Sequence, residues 1–151
     1  MKIRTGFVSN SSSSSYIIAA PTGKVNLCEH CRRSDPNLFE EIERLSMDSF
    51  DTKVNSKKES VEYLKNELRW SLKEDIPSIR AVLDLVQKPP KGYSIRVIHL
   101  CYHDSASEYV FENAKGKYII YDENRGYDNK IIMALQIVKD DKGSEKGDKN
   151  E

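Results

Sequence analysis

No stretch of this chain is apolar for long enough to cross a bilayer, which takes about 20 residues of helix. Lys2 and Arg4 open the chain, but a serine block stands where a secretory leader carries its apolar segment. No export signal is expected, and a cytoplasmic location is. Cysteine is scarce, with three in 151 residues. That odd number, without export, argues against a disulfide framework. An excess of one charge is lacking too. The 24 Lys+Arg and 24 Asp+Glu balance and leave no long-range field to draw the molecule onto nucleic acid or an anionic membrane. Motifs that carry their own mechanism are also missing: there is no His-Glu-x-x-His, no Gly-x-Ser-x-Gly and no phosphate-binding P-loop. The basic doublets Arg32-Arg33 and Lys57-Lys58 read as ordinary surface.

What is present suits a folded protein. Apolar residues make up 38% and charged residues 32%, which is polar for a globular chain but too apolar for a disordered one. The length fits one domain with an ordinary core. Residues 1–138 are expected to form that domain. Residues 139–151 carry charges, two glycines and no large apolar side chain, and read as a disordered tail.

The opening stretch has the most distinctive texture. Two short apolar strings, Ile3 to Val8 and Tyr16 to Ala20, bracket a polar run from Ser9 to Ser15. Serine and asparagine side chains compete for backbone hydrogen bonds and resist regular structure, while the flanks favour strands. Strand, polar loop, strand is the expectation, with Gly6 at a bulge or bend. The serine run itself reads as a flexible linker or as an anion-binding nest of backbone N–H groups and hydroxyls. The string Met-Lys-Ile-Arg-Thr-Gly-Phe-Val-Ser-Asn, five serines and Tyr16 also resembles the N-terminus of a set of uncharacterised bacterial and phage proteins. In those, Phe usually stands where this chain has Tyr16. The resemblance covers about the first 18 residues and implies a bacterial or phage source, with no activity attached.

Further along, Pro21-Thr22-Gly23 marks a turn, and Ser34-Asp35-Pro36 signals the start of a helix carrying Leu38, Ile42 and Leu45. Ser56 and Glu59 have capping-box spacing. They open a helix whose apolar stripe reads Val61, Leu64, Leu68 and Leu72, with Trp70 expected to pack. Pro77 opens another helix, with Ile79, Val82, Leu83 and Val86 facing inward. The texture then turns to period two. Ser94 to His103 reads as a strand, and Tyr109–Glu112 with 117–121 as a hairpin. Ile131 to Val138 reads as a final strand, although an apolar run this short also suits a helix. The order implies an α+β fold: an antiparallel sheet of an N-terminal strand pair and a C-terminal meander, the pair at the meander's edge, with two or three helices on one face.

Sulfur and imidazole supply the one constellation with mechanistic content. Cys28 and Cys31 have Cys-x-x-Cys spacing, and His99, Cys101 and His103 alternate along one face of a strand. A zinc held by Cys28, Cys31, Cys101 and His103 would staple the knuckle to the sheet with about 10–16 kcal/mol of apparent binding energy. Inert buried cysteines and a redox pair are the other readings of the same residues. Two functions fit this inventory. One is a small cytoplasmic protein that binds a protein partner, a non-enzymatic phage or bacterial accessory factor, with neither membrane nor nucleic acid as target. The other is an enzyme that holds an anion on the serine-rich loop and uses His99 or His103 for acid–base work.

Overall fold

The string Tyr16–Ala20 has no polar residue on either side of the pleat, so a strand there needs cover on both faces. The computed structural model, which describes residues 13–22, 37–46, 52–101 and 105–148, supplies that cover. Its strands are β1 (Ser13–Pro21), β2 (Lys53–Val54), β3 (Tyr93–Cys101), β4 (Ile119–Asp122) and β5 (Gly126–Tyr127). Its helices are α1 (Leu38–Ser46), α2 (Lys57–Trp70), α3 (Ile76–Gln87), α4 (Ser105–Asn113) and α5 (Asn129–Asp148). The strands form one antiparallel sheet in the order β2-β3-β1-β4-β5. The fold is α+β, as the sequence implies.

The layering is fuller than the sequence reading had it. β1 lies at the centre of the sheet and not at an edge, paired along its whole length with β3 from Ser13↔Cys101 to Pro21↔Tyr93. Helices cover both faces. On one, Ile17, Ala19, Ile95 and Val97 pack with Leu64 of α2, Ile79, Val82, Leu85 and Val86 of α3, and Ile132 and Leu135 of α5. On the other, Tyr16, Ile18, Ala20, Ile98 and Leu100 pack with Leu38, Phe39 and Ile42 of α1 and Ala106 and Val110 of α4. Alternation along two strands that are apolar on both sides makes the second helix layer necessary. The partner expected for β1 at Ile3–Val8 lies outside the described residues.

Three segments differ from expectation. Tyr109–Glu112 belongs to α4 and not to a hairpin; Ala106, Val110 and Ala114 are buried at helical spacing, a signal longer than the four-residue alternation that suggested a strand. Ile131–Val138 lies in α5, which buries Ile132 and Leu135 one turn apart. That helix continues to Asp148, through much of the segment read as a tail. Ser13–Ser15, the end of the serine run, is strand: ladder pairing with Cys101, Leu100 and His99 outweighs the local preference of serine for loops.

Local chemistry sets the helix starts. Ser56 caps α2 by accepting the Glu59 N–H at 3.2 Å, as the capping box implies. Asn37 caps α1, accepting the Phe39 N–H at 2.9 Å while its amide donates to the Pro21 and Thr22 carbonyls at 3.0 and 2.7 Å. The end of β1 and the start of α1 are thereby tied together. The apolar stripe holds in part: Leu64 is buried and Val61 and Leu68 pack against the core, but the polar Ser60 and Glu67 also point inward, and Leu72, beyond the helix, is exposed. Ser60 faces the core because it has a partner there, its Oγ accepting the Val97 N–H at 3.0 Å. Since β2 is only two residues long, β3 completes its outer edge with side chains and loops. Thr52 Oγ1 accepts the Cys101 N–H at 3.0 Å, and the Asn55 N–H donates to the Val97 carbonyl at 3.0 Å.

Candidate functional site

The β1–β3 register places Ser15 opposite His99, so the end of the serine run and one of the sequence-identified histidines meet on the α2 side of the sheet. Ser15 Oγ and His99 Nδ1 are joined by a hydrogen bond of 2.8 Å. Both residues are half-buried. Tyr63 of α2 packs edge-on against the imidazole, with ring centroids 5.6 Å apart and planes at 68°. Glu123, just past β4, closes the group: the Ser15 N–H donates to its Oε2 at 2.8 Å, and its own N–H donates to the Ser15 carbonyl at 3.1 Å. Lys53 of β2 stands opposite His99 on the other side and forms an ion pair of 3.2 Å with Glu59.

Burial holds the His99 imidazole below its ordinary pKa; the negative charge of Glu123 opposes that shift and the Lys53 ammonium reinforces it. His99 is therefore neutral at neutral pH and can accept a proton. A carboxylate within electrostatic reach would favour the imidazolium once formed. A neutral base beside a hydroxyl is the pairing that nucleophilic and acid–base chemistry uses. It is also how a half-buried histidine satisfies its ring nitrogen.

A second polar group lies nearby. Glu67 is buried on α2, and Tyr121 and Tyr127 stack with centroids 4.6 Å apart and planes tilted by 41°. Burial pushes the Tyr127 phenol up, and Tyr121, Glu67, Tyr63 and Asp75 push the same way, so it stays protonated.

Of the four residues proposed as zinc ligands, Cys28, Cys31 and His103 lie outside the described residues. Cys101 ends β3 and is half-buried. Among the described residues, which include one of those four ligands, no cluster of three or more His, Cys, Asp or Glu could hold a metal ion. The serine-loop anion nest is likewise outside them at residues 9–12, and Ser13–Ser15 is paired strand. Sequence reasoning found His99 by its β-strand alternation but missed Ser15, Tyr63 and Glu123 as its partners. Glu123 lies just past β4, and only the pairing of β4 with β1 brings it to Ser15.

Trp70, expected to pack, is 78% exposed, and Leu72 beyond it is 48% exposed. The inward turn of Ser60, Leu64 and Glu67 leaves Trp70 off the buried face in the last turn of α2. Met133 and Ile137, one turn apart on α5, are 61% and 59% exposed. No helix among the described residues is long and apolar enough to cross a membrane. Comparison with protein-family models, curated proteins and solved structures finds no match to this chain.

Proposed function

We propose that the protein is a small cytoplasmic binding protein, a bacterial or phage accessory factor, that docks on a protein partner through the end of α2. The exposed indole of Trp70 carries this reading. Tryptophan is the residue most enriched among the few side chains that dominate protein interfaces, and its burial removes about 150–250 Å² from water. Leu72, two residues on, is also exposed, and the exposed Arg69, Lys73 and Glu74 flank the pair in sequence. The matching partner surface is an apolar pocket that takes the indole. A zinc held by Cys28, Cys31, Cys101 and His103 is proposed as a structural staple.

The test uses the single tryptophan of the chain. A photo-crosslinking amino acid at position 70 identifies the partner, which is then purified and titrated against the wild type. A blue shift of Trp70 emission on binding, with affinity at least tenfold lower for Trp70→Ser, supports the reading. Equal affinity for wild type and Trp70→Ser, or no crosslink above that from a probe at exposed Lys58, refutes it.

The Ser15–His99 hydrogen bond favours a second reading, an enzyme in which His99 is the base. Here Ser15 replaces the serine-rich loop as the reacting or substrate-binding group. Incubation with a fluorophosphonate probe tests it. Labelling of Ser15 that disappears in His99→Asn supports base activation, and absence of labelling refutes it.

A further inference from the structure

A cavity among the described residues lies where the turn before β4, the β4–β5 hairpin and the start of α5 come together, and His99 is not in its lining. Its volume is about 530 Å³, within the ~300–1,000 Å³ of small-molecule sites and far beyond the ~30 Å³ share of one water. Lys115, Arg125 and Lys130 line it, together with Asp122, Asp128 and Ile119. We propose that this cavity binds a small phosphorylated molecule, its phosphate held by Lys115 and Lys130.

The charges decide the sign of the ligand. Each carboxylate uses one oxygen on nearby backbone N–H groups and keeps its charge. Asp128 Oδ1 accepts the Lys130 and Ile131 N–H groups at 3.0 and 3.3 Å, capping α5. Asp122 Oδ1 accepts the Asn124 N–H at 2.9 Å, and its Oδ2 lies 4.0 Å from Arg125 Nε. Among the described residues, Lys115 and Lys130 enter no ion pair, although both are exposed. The lining thus carries three cations against two carboxylates, and the two ammonium groups outside any close ion pair are the ones a dianion would engage. Since Asp128 already occupies the first N–H groups of α5, the ligand is recognised by side-chain cations and not by the helix end.

The walls suit a close approach. Gly116 and Gly126 both line the cavity, with φ of +77° and +90°. A Cβ built at either meets nothing within 4 Å, so bare backbone faces open space there. Beside a phosphate the volume leaves room for an organic portion against Ile119.

Isothermal titration of the full chain with inorganic phosphate and with pyrophosphate tests the proposal. The expected result is saturable one-to-one binding of pyrophosphate, weakened by salt. The Lys115→Ala/Lys130→Ala double variant should lose at least tenfold in affinity without any change in its unfolding midpoint, whereas Lys58→Ala should bind as the wild type does. Binding that persists undiminished in the double variant would place the anion elsewhere and overturn the assignment. So would absence of saturable binding to either anion at low ionic strength.

Discussion

Ser60 is a polar residue with no exposed surface, on the buried face of an amphipathic helix, and its replacement by alanine isolates what it does. The change removes one oxygen and creates almost no void, so cavity cost is small. It also removes the acceptor of the Val97 N–H, 3.0 Å away at the middle of β3. β2 pairs with His99 and Ile98 and does not reach that amide. A buried donor left without a partner costs about 1–3 kcal/mol. Alanine recovers roughly 0.5 kcal/mol of helix propensity over serine. The net expectation is a loss of about 0.5–2.5 kcal/mol, which for a chain of this size lowers the unfolding midpoint by roughly 1–10 °C at about 2–4 °C per kcal/mol. Urea unfolding measures the energy. Amide hydrogen exchange locates it, because the Val97 amide should lose protection relative to that of Ile95. Ser60→Ala at or above wild-type stability, with Val97 exchange unchanged, would show that the hydroxyl does not complete the sheet edge.

Three further outcomes are expected. Leu64→Ala should cost about 2–5 kcal/mol because its side chain has no exposed surface, whereas Leu72→Ala should stay within about 0.5 kcal/mol; equal costs in urea unfolding would extend the buried stripe to Leu72. His99 is held neutral in the fold, so below its ordinary pKa of about 6.5 the unfolded chain takes up a proton that the folded chain refuses. Stability should therefore fall as the pH drops below that value, at no more than about 1.4 kcal/mol per pH unit and at less than that for a half-exposed ring. His99→Gln should flatten that limb relative to wild type, and superimposable profiles between pH 7 and 5 would refute the argument. For the zinc staple, native mass spectrometry of protein purified without a histidine tag should find one zinc per chain, lost together with folding in Cys101→Ser. A metal-free folded chain whose three thiols all titrate would end that proposal.

The local signals that held were those whose cause is local. Ser56 caps α2 because its hydroxyl is three residues from the amide it accepts, and Pro77 sits in the first turn of α3 because its missing N–H costs nothing there. β3 announced itself by a stretch of period-two texture with β-branched and aromatic residues. Errors fell where a short window fits two periods. Four residues, Tyr109 to Glu112, alternate like a strand, yet Ala106, Val110 and Ala114 show the helical period only over a longer span. Ile131–Val138 is apolar in nearly every position, and periodicity has little to say about such a run.

The inward face of α2 is a harder case, because it breaks the rule that apolar residues mark the core. Ser60 is buried since β3, far away in sequence, needs an acceptor where β2 stops short. That need cannot be read from the helix alone. The Ser15–His99–Glu123 group obeys the same logic. His99 was visible because its alternation with Cys101 and His103 is local. Ser15 reaches it by the β1–β3 register and Glu123 reaches Ser15 through the β1–β4 pairing, separations of 84 and 108 residues. Polar residues that serve a distant strand carry no periodic mark. Here they supply both the hidden support of the sheet and a place where a base meets a hydroxyl.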